Sequence, residues 1–355
     1  MVKRLFMAKY IIKRILYILL VFLILSLLLF LIYNMIPNDK AYTATSTELK
    51  ALSGAQRLSF DWDDRYHYWQ CYYGENGSIF ERYLRWVGLY PYTFYDGHTA
   101  FNGMLEGNFG KSTMYDRPVI DVIAGPMGNT MFINVFAIIL GLGITIPLGI
   151  FCAVKRGSRR DLAVQVFTII GYSLPTFIIG IVFMYFFSIQ LGWFPVSGSH
   201  VIFGYDDMTP WEQFWNRMYY MTLPLIVMTF CSLGGMTRYV RASMIDALSL
   251  DCIKTARAKG LREKTVIYSH AFRNALIPIA TLVIGWFLGI FSGSMMIENI
   301  FSLNGIGLFY YVALNNNDNE VVLALQMFYI FISLAGNLII DIAYGFIDPR
   351  IRINK

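Results

Sequence analysis

The residues whose types and spacing could carry out chemistry are few in this 355-residue chain. The triplet Gly110-Lys111-Ser112 matches the end of a phosphate-binding loop, in which backbone N–H groups and a lysine hold the phosphates of a nucleotide. The complete pattern needs a glycine at position 105, where this chain has Leu105. The sequence therefore predicts that the triplet is not a nucleotide site.

Histidine and cysteine, which commonly hold metals or act as nucleophiles, are scattered along the chain. Neither an H-E-x-x-H motif nor a C-x-x-C pair occurs, and these are the usual signatures of zinc or redox sites. We therefore predict no catalytic residue, no metal site and no cofactor bound by this chain. If it performs work driven by ATP, a partner must hydrolyse the ATP.

Three polar residues fall inside stretches that are otherwise apolar. Asn134 lies in one of them, and Asn337 and Asp341 lie one helical turn apart in another. Polar groups in a membrane interior often mark transport or proton pathways. We favour a structural hydrogen bond, or an ion pair between Asp341 and Arg350, over a relay role, because a proton-coupled carrier would need more buried carboxylates.

The overall composition is that of a membrane protein. Hydrophobic residues make up 56% of the chain and charged residues 15%, whereas soluble domains are about half apolar and about one quarter charged. A spanning helix needs about 20 mostly apolar residues, and six stretches qualify. We therefore predict an all-α polytopic membrane protein with six transmembrane helices within residues 15–36, 131–154, 162–190, 221–237, 275–297 and 321–347.

Lys and Arg are concentrated in four segments that six spans would place on one side of the membrane. An excess of positive charge in short segments marks the cytoplasmic side. The prediction is that both termini are cytoplasmic. The four segments are the N-terminal arm 1–14, the turn 155–160, the segment 238–274 and the tail 348–355.

The opposite side carries a long loop after the first helix, residues 37–128. It is rich in aromatic residues such as Trp62, Trp69 and Trp86, and disordered linkers are poor in them. We therefore predict a folded extracytoplasmic subdomain here, followed by a five-helix core over residues 129–347.

Residues 246–274 form the most informative cytoplasmic segment. Asp251 or Ser249 can cap a first short helix through its side chain, and Gly260 can take the left-handed conformation that ends it. A second helix then follows. The small Ala256 and Ala258 would keep the tip slim enough to enter a groove in a partner. A solvated basic loop is the alternative interpretation.

Two runs resemble the coupling segment of B-type transmembrane permease subunits of dipeptide/oligopeptide/nickel-family ABC importers. They are Thr255–Leu261, within this segment, and His270–Pro278, which extends past its end. In that family the segment inserts into a cleft of an ATPase subunit. Further similar stretches are Gly107–Ser112 and Ser173-Leu174-Pro175. The resemblance implies these ATPase-coupling residues: Thr255, Ala256, Arg257, Ala258, Lys259, Gly260, Leu261, Arg273 and Asn274.

The resemblance implies the type I ABC importer permease fold, in the inner (plasma) membrane of a prokaryote. The chain would be a non-catalytic subunit forming the path for di- and oligopeptides delivered by an extracytoplasmic solute-binding protein. The implied partners are a homologous second permease in a heterodimer, two cytoplasmic ATPase subunits that use ATP and Mg²⁺, and membrane lipid, with no nucleic acid. Gly260 would hold the coupling turn, and Arg257 would pair with an acid in the ATPase cleft.

The chain departs from the family pattern in two places. The family's coupling triplet Glu-Ala-Ala corresponds here to Lys254-Thr255-Ala256, and residues 43–101 match poorly. The second departure puts in doubt how a binding protein docks and what it delivers. An importer of nickel or another small solute is one alternative, and a membrane enzyme or channel is another. Only an importer requires ATPase subunits to co-purify.

Overall fold

The computed structural model describes residues 2–35, 39–201 and 203–347 and is helical through most of them. The chain forms two compact units. The first lies within residues 1–123 and 313–331, and the second within residues 124–312 and 332–355. The predicted tail 348–355 lies outside the described residues.

The first unit begins with a long apolar helix, α1 (Val2–Asn34), so the basic N-terminal arm is continuous with the first span. The loop that follows is folded. It holds four short helices, a two-residue-per-strand antiparallel hairpin and one 3-10 turn: α2 (Lys40–Ala51), α3 (Gly54–Leu58), α4 (Trp62–Tyr73), α5 (Ile79–Val87), β1 (Tyr92–Thr93), β2 (Thr99–Ala100) and the turn Met104–Glu106.

Polar and aromatic contacts hold this subdomain, residues 39–118, together. The Glu48 carboxylate on α2 accepts hydrogen bonds from Arg65 (3.0 Å) and from the Trp69 indole (2.9 Å), both on α4. The end of α1 packs on α5, where the hydroxyls of Ser26 and Tyr83 are 2.7 Å apart. The aromatic residues of the loop therefore form a small core, as their abundance suggested.

The second unit contains most of the remaining helices. α6 (Val119–Val154) enters it from the first unit, and two later helices, α14 (Ile306–Asn315) and α15 (Asn319–Ile347), cross the boundary again. The others are α7 (Arg159–Ser173), α8 (Thr176–Phe183) with a π-helical end Met184–Gln190, α9 (Pro210–Ser249), α10 (Asp251–Ala258), α11 (Glu263–Thr265) with the π-helical turn Val266–Ala271, α12 (Phe272–Leu288) and α13 (Met295–Ile300).

Among the described residues, five helices are long and apolar enough to cross a membrane, or six if one bent pair counts as a single span. The bent pair is α7 with α8, which covers the single span that the sequence predicted over 162–190. The two halves meet at an angle of 101°. Pro175 causes the break, because a proline disfavours helical geometry in the preceding residue, and Leu174 is extended with ψ 140°.

The predicted fifth span, 275–297, is also corrected. Helix α12 ends at Leu288, and a 3-10 turn continues only to Phe291. Asn134 on α6 donates its side-chain N–H groups to the carbonyls of Ile290 (2.8 Å) and Ser292 (2.9 Å) at this break. Because free carbonyls are costly in an apolar environment, these bonds give Asn134 the structural role that we favoured.

Candidate coupling site

A buried ion pair fixes the turn after α6 to the long helix α9. Both guanidinium nitrogens Nε and Nη2 of Arg241 donate to the Asp161 carboxylate, at 2.9 and 2.8 Å. Asp161 also accepts the backbone N–H of Gly157 (2.9 Å) and the side-chain amide of Gln165 (2.9 Å). Two of the predicted cytoplasmic segments, 155–160 and 238–274, are therefore tied together next to the candidate site.

The chain turns sharply at Leu250, between the end of α9 and the start of α10. Leu250 is extended, with ψ 145°, and its side chain cannot cap. The prediction that Ser249 or Asp251 caps α10 is wrong. The Ser249 hydroxyl donates to the Asp246 carbonyl (2.7 Å), and Asp251 is already inside the first turn, where it accepts from Lys254 (2.8 Å).

Helix α10 has one buried face and one exposed face. Ile253 and Ala256 are buried in a core shared with Met244 on α9 and with Val266 and Ala271 of the π-helical turn. The expectation that Ala256 slims the tip is therefore corrected, because this alanine permits close packing inside the protein. The predicted residues that remain exposed on or after α10 are Thr255, Arg257, Ala258, Lys259, Gly260 and Leu261.

Gly260 ends α10 in the left-handed conformation, with φ +74°. Its N–H donates to the Arg257 carbonyl (2.9 Å), and the Leu261 N–H reaches the Ala256 carbonyl (3.4 Å). A Cβ added at Gly260 would meet no atom within 4 Å. The requirement for glycine is therefore one of backbone conformation and not of space.

Arg257 has a partner within this chain that the sequence analysis missed. Its guanidinium donates to both oxygens of Glu263, at 2.7 and 3.2 Å, across the turn at Gly260. The hydrogen bond to Glu263 raises the pKa of Arg257. Both side chains are about half exposed (46% and 55%), so the pair can open to a partner at little cost. A Glu six residues after an Arg is not a helical spacing, and only the glycine turn could have suggested the contact.

Arg273 and Asn274 stand apart from the exposed tip, at the start of α12. The Asn274 amide donates to the His270 carbonyl (2.8 Å), and Arg273 is exposed. Asn274 lines a groove of about 390 Å³ together with Tyr239 and Asp246 of α9. The structure thus brings Thr255–Leu261 into one exposed tip, while Arg273 and Asn274 belong to the base of the segment.

The chain is similar in sequence to known membrane transport components. Residues 145–353 match the family of binding-protein-dependent transport system inner membrane components. The chain is 31% identical to the oligopeptide transport system permease protein AppB of Bacillus subtilis (strain 168), over 97% of this chain and 99% of the relative. It is 32% identical to the dipeptide transport system permease protein DppB of Lactococcus lactis subsp. cremoris (strain MG1363), over 98% of this chain and 100% of the relative.

The chain belongs to this family of inner membrane components. The predicted family and fold class are thereby confirmed. The coupling segment lies inside the matched range, whereas the whole of the subdomain 39–118 lies before it. Among solved structures, the chain is similar to an inward-facing MetNI methionine ABC transporter over 62% of this chain and 96% of the other chain, with a TM-score of 0.47 and 16% identity.

Proposed function

We propose that this inner membrane component is the permease subunit of an ATP-driven importer for di- and oligopeptides. The observation that carries the proposal is similarity along almost the entire chain to relatives named as oligopeptide and dipeptide permease proteins. The exposed tip Thr255–Leu261, built on a buried base, supports it because a rigidly mounted small helix can transmit movement.

The assembly consists of this chain, a homologous second permease, two cytoplasmic ATPase subunits and an extracytoplasmic binding protein. This chain is not catalytic and binds no cofactor, and ATP with Mg²⁺ is used by the ATPase subunits. Both termini are cytoplasmic, which places the coupling tip on the ATPase side and the subdomain 39–118 outside.

In the proposed mechanism, ATP binding closes the ATPase pair, and the tip Thr255–Leu261 follows that movement. Because Ile253 and Ala256 are buried against α9 and the π-helical turn, a displacement of α10 is passed to α9 and α12. The peptide path then opens outward to the loaded binding protein. ATP and the binding protein must both favour the outward-facing state, since a ligand shifts an equilibrium only by its differential affinity.

The test is purification of the tagged chain from native membranes in mild detergent, followed by reconstitution into liposomes. We expect the second permease and both ATPase subunits to co-purify. We also expect uptake of a radiolabelled tripeptide to require internal ATP and external binding protein. Recovery of the chain alone, without ATP hydrolysis, would contradict the importer. Recovery of the full assembly that transports a nickel complex and no peptide would contradict the cargo.

A further inference from the structure

The first unit contains a cavity of about 920 Å³ that the coupling mechanism does not use. It lies in the subdomain 39–118, against the end of α1 and the first turn of α15. Its size falls within the range of about 300–1,000 Å³ that is usual for small-molecule sites.

Aromatic and amide side chains form most of the wall. Tyrosines from α2, α4 and β1 contribute ring faces and hydroxyls, and Gln70, Asn102 and Asn108 contribute amides. Tyrosine offers apolar area and a hydrogen-bonding group at the same time, which suits a backbone of peptide groups. Leu323 and Pro118 are the aliphatic residues in the wall, and aromatic rings supply the rest of its apolar surface.

Six charged side chains line the cavity, three of each sign: Asp39, Glu75, Glu320, Lys40, Arg82 and Lys111. Four of them already have partners. Lys40 pairs with Glu320, and Lys111 pairs with Asp116 (2.5 Å). Asp39 accepts from the Tyr66 hydroxyl (2.7 Å) and from the Tyr42 N–H (2.7 Å).

Glu75 and Arg82 are the two charged groups with binding capacity left. The Glu75 carboxylate accepts one backbone N–H, from Ala41 at 3.2 Å. Arg82 makes no side-chain hydrogen bond or ion pair within the described part of the chain. The cavity thus offers one anion and one cation that are incompletely paired. Burial raises the pKa of Glu75, and the positive charges of Lys40 and Arg82 only partly oppose this shift.

We propose that this cavity binds a short zwitterionic peptide, with the peptide ammonium on Glu75 and the peptide carboxylate on Arg82. The inference rests on the proposed function for the source of the ligand, which is the transported peptide itself. The wall carries equal numbers of positive and negative groups, which fits a ligand with one charge of each sign. The cavity is then a peptide-binding site that is not part of the coupling mechanism.

The test uses the complete permease–ATPase assembly in lipid nanodiscs without binding protein, and the tripeptide Ala-Phe-Ala as the probe in calorimetry. The unmodified protein should bind the probe saturably. N-acetylation or C-amidation of the probe should each weaken binding about tenfold, since each removes a charge-assisted hydrogen bond. Glu75→Gln should lower the affinity for the free peptide about tenfold, and N-acetylation of the probe should then lower it no further. Arg82→Gln should likewise lower the affinity, and C-amidation of the probe should then have no further effect.

The matched controls are Asp63→Asn and Lys50→Gln, which remove one exposed charge of each sign from the subdomain without touching the cavity. Both should bind the probe like the unmodified protein. Absence of saturable binding would overturn the proposal. So would an equal loss of affinity for the free, N-acetylated and C-amidated peptides in both Glu75→Gln and Arg82→Gln. Displacement of the probe by phosphoethanolamine at equal concentration would also overturn it, because it would indicate a lipid headgroup site.

Uptake into liposomes separates this proposal from the function. Import of the tripeptide without binding to the nanodisc assembly would refute the cavity site and leave the importer intact. Binding that depends on Glu75 and Arg82, without import, would support the site and refute the importer.

Discussion

Gly260 and Gly204 have nearly the same backbone conformation at different places in the chain. Their φ angles are +74° and +73°, and a Cβ added to either would meet no atom within 4 Å. A side chain in this conformation costs about 1–2 kcal/mol, and more if it is β-branched. The same substitution at the two glycines therefore distinguishes the effect of backbone strain in general from the effect of strain at the coupling tip.

We predict that Gly260→Val abolishes transport-coupled ATPase activity while Gly204→Val retains it. The valine at position 260 would force the turn after α10 into another conformation and displace Leu261. Both variants should reach the membrane in similar amounts, as measured by immunoblot. Normal transport by Gly260→Val at normal expression would show that the turn is not needed for coupling.

Arg257 and Glu263 form a pair that either stabilises the turn or holds the arginine ready for a partner. We predict that Arg257→Gln lowers coupled ATPase activity several-fold, whereas Glu263→Gln lowers it much less. An exposed pair contributes at most about 1 kcal/mol to folding, so neither variant should unfold. Equal losses in the two variants would mean that Arg257 acts only through Glu263, and the proposed contact with an ATPase acid would be wrong.

At the scale of elements, the pair Asp161–Arg241 joins α7 to α9. Asp161 is almost fully buried, with 2% of its side chain exposed, and Arg241 is 21% exposed. Removing one partner of a buried pair leaves the other uncompensated. We predict that Asp161→Asn lowers the free energy of unfolding by about 2 kcal/mol, below the usual buried-pair loss because Arg241 retains some solvent. Unfolding by SDS in mixed micelles would measure it.

The control for that experiment is the exposed pair Asp251–Lys254, which has the same 2.8 Å separation. Asp251→Asn should change stability much less, because solvent already screens this pair. Equal destabilisation by both variants would mean that burial does not distinguish the two ion pairs.

The sequence could predict an element when the interactions that form it are close together along the chain. The break at Gly260 is a local matter of backbone conformation, and it was predicted. The C-terminal end of α12 and the role of Asn134 involve contacts with Ile290 and Ser292, more than 150 positions away. A hydropathy window contains no information on such contacts, so it extended the fifth span past its end at Phe291.

At the scale of the whole molecule, the orientation remains a prediction that native cysteines can test. Cys252, at the start of α10, is exposed, whereas Cys71 and Cys152 are buried and Cys231 is partly buried. We predict that an impermeant maleimide labels Cys252 in inside-out vesicles stripped of ATPase subunits and not in spheroplasts. Labelling should disappear in Cys252→Ser.

A matched reporter for the other side is Leu58→Cys, since Leu58 is 91% exposed in the subdomain 39–118. Placed in the Cys252→Ser background, it should be labelled in spheroplasts and not in inside-out vesicles. The opposite pattern for the two positions would reverse the proposed topology.

The family and the number of apolar stretches could be predicted from the sequence, because motifs and hydropathy depend on residues that are neighbours along the chain. The cavity could not be predicted in this way. Its wall joins Lys40 to Glu320, and the adjoining Ser112 hydroxyl donates to Asp318, across more than 200 positions in each case. The triplet Gly110-Lys111-Ser112 thus has a structural role, because Ser112 is buried on Asp318 rather than free to hold a phosphate.

The stretch Ile11–Asn34 of helix α1 exposes most of its surface, with only 11% of its apolar window buried within the chain. Ser26 and Phe30 are exceptions, at 0% and 6% exposure, where α1 meets α5. Over evolutionary time, the positions of this span that meet only lipid should exchange among Leu, Ile, Val and Phe, as long as the hydropathy is kept. Selection on side-chain identity should be strongest at positions 26 and 30. Related chains should therefore share these two residues and the apolar composition of the helix, rather than its detailed sequence.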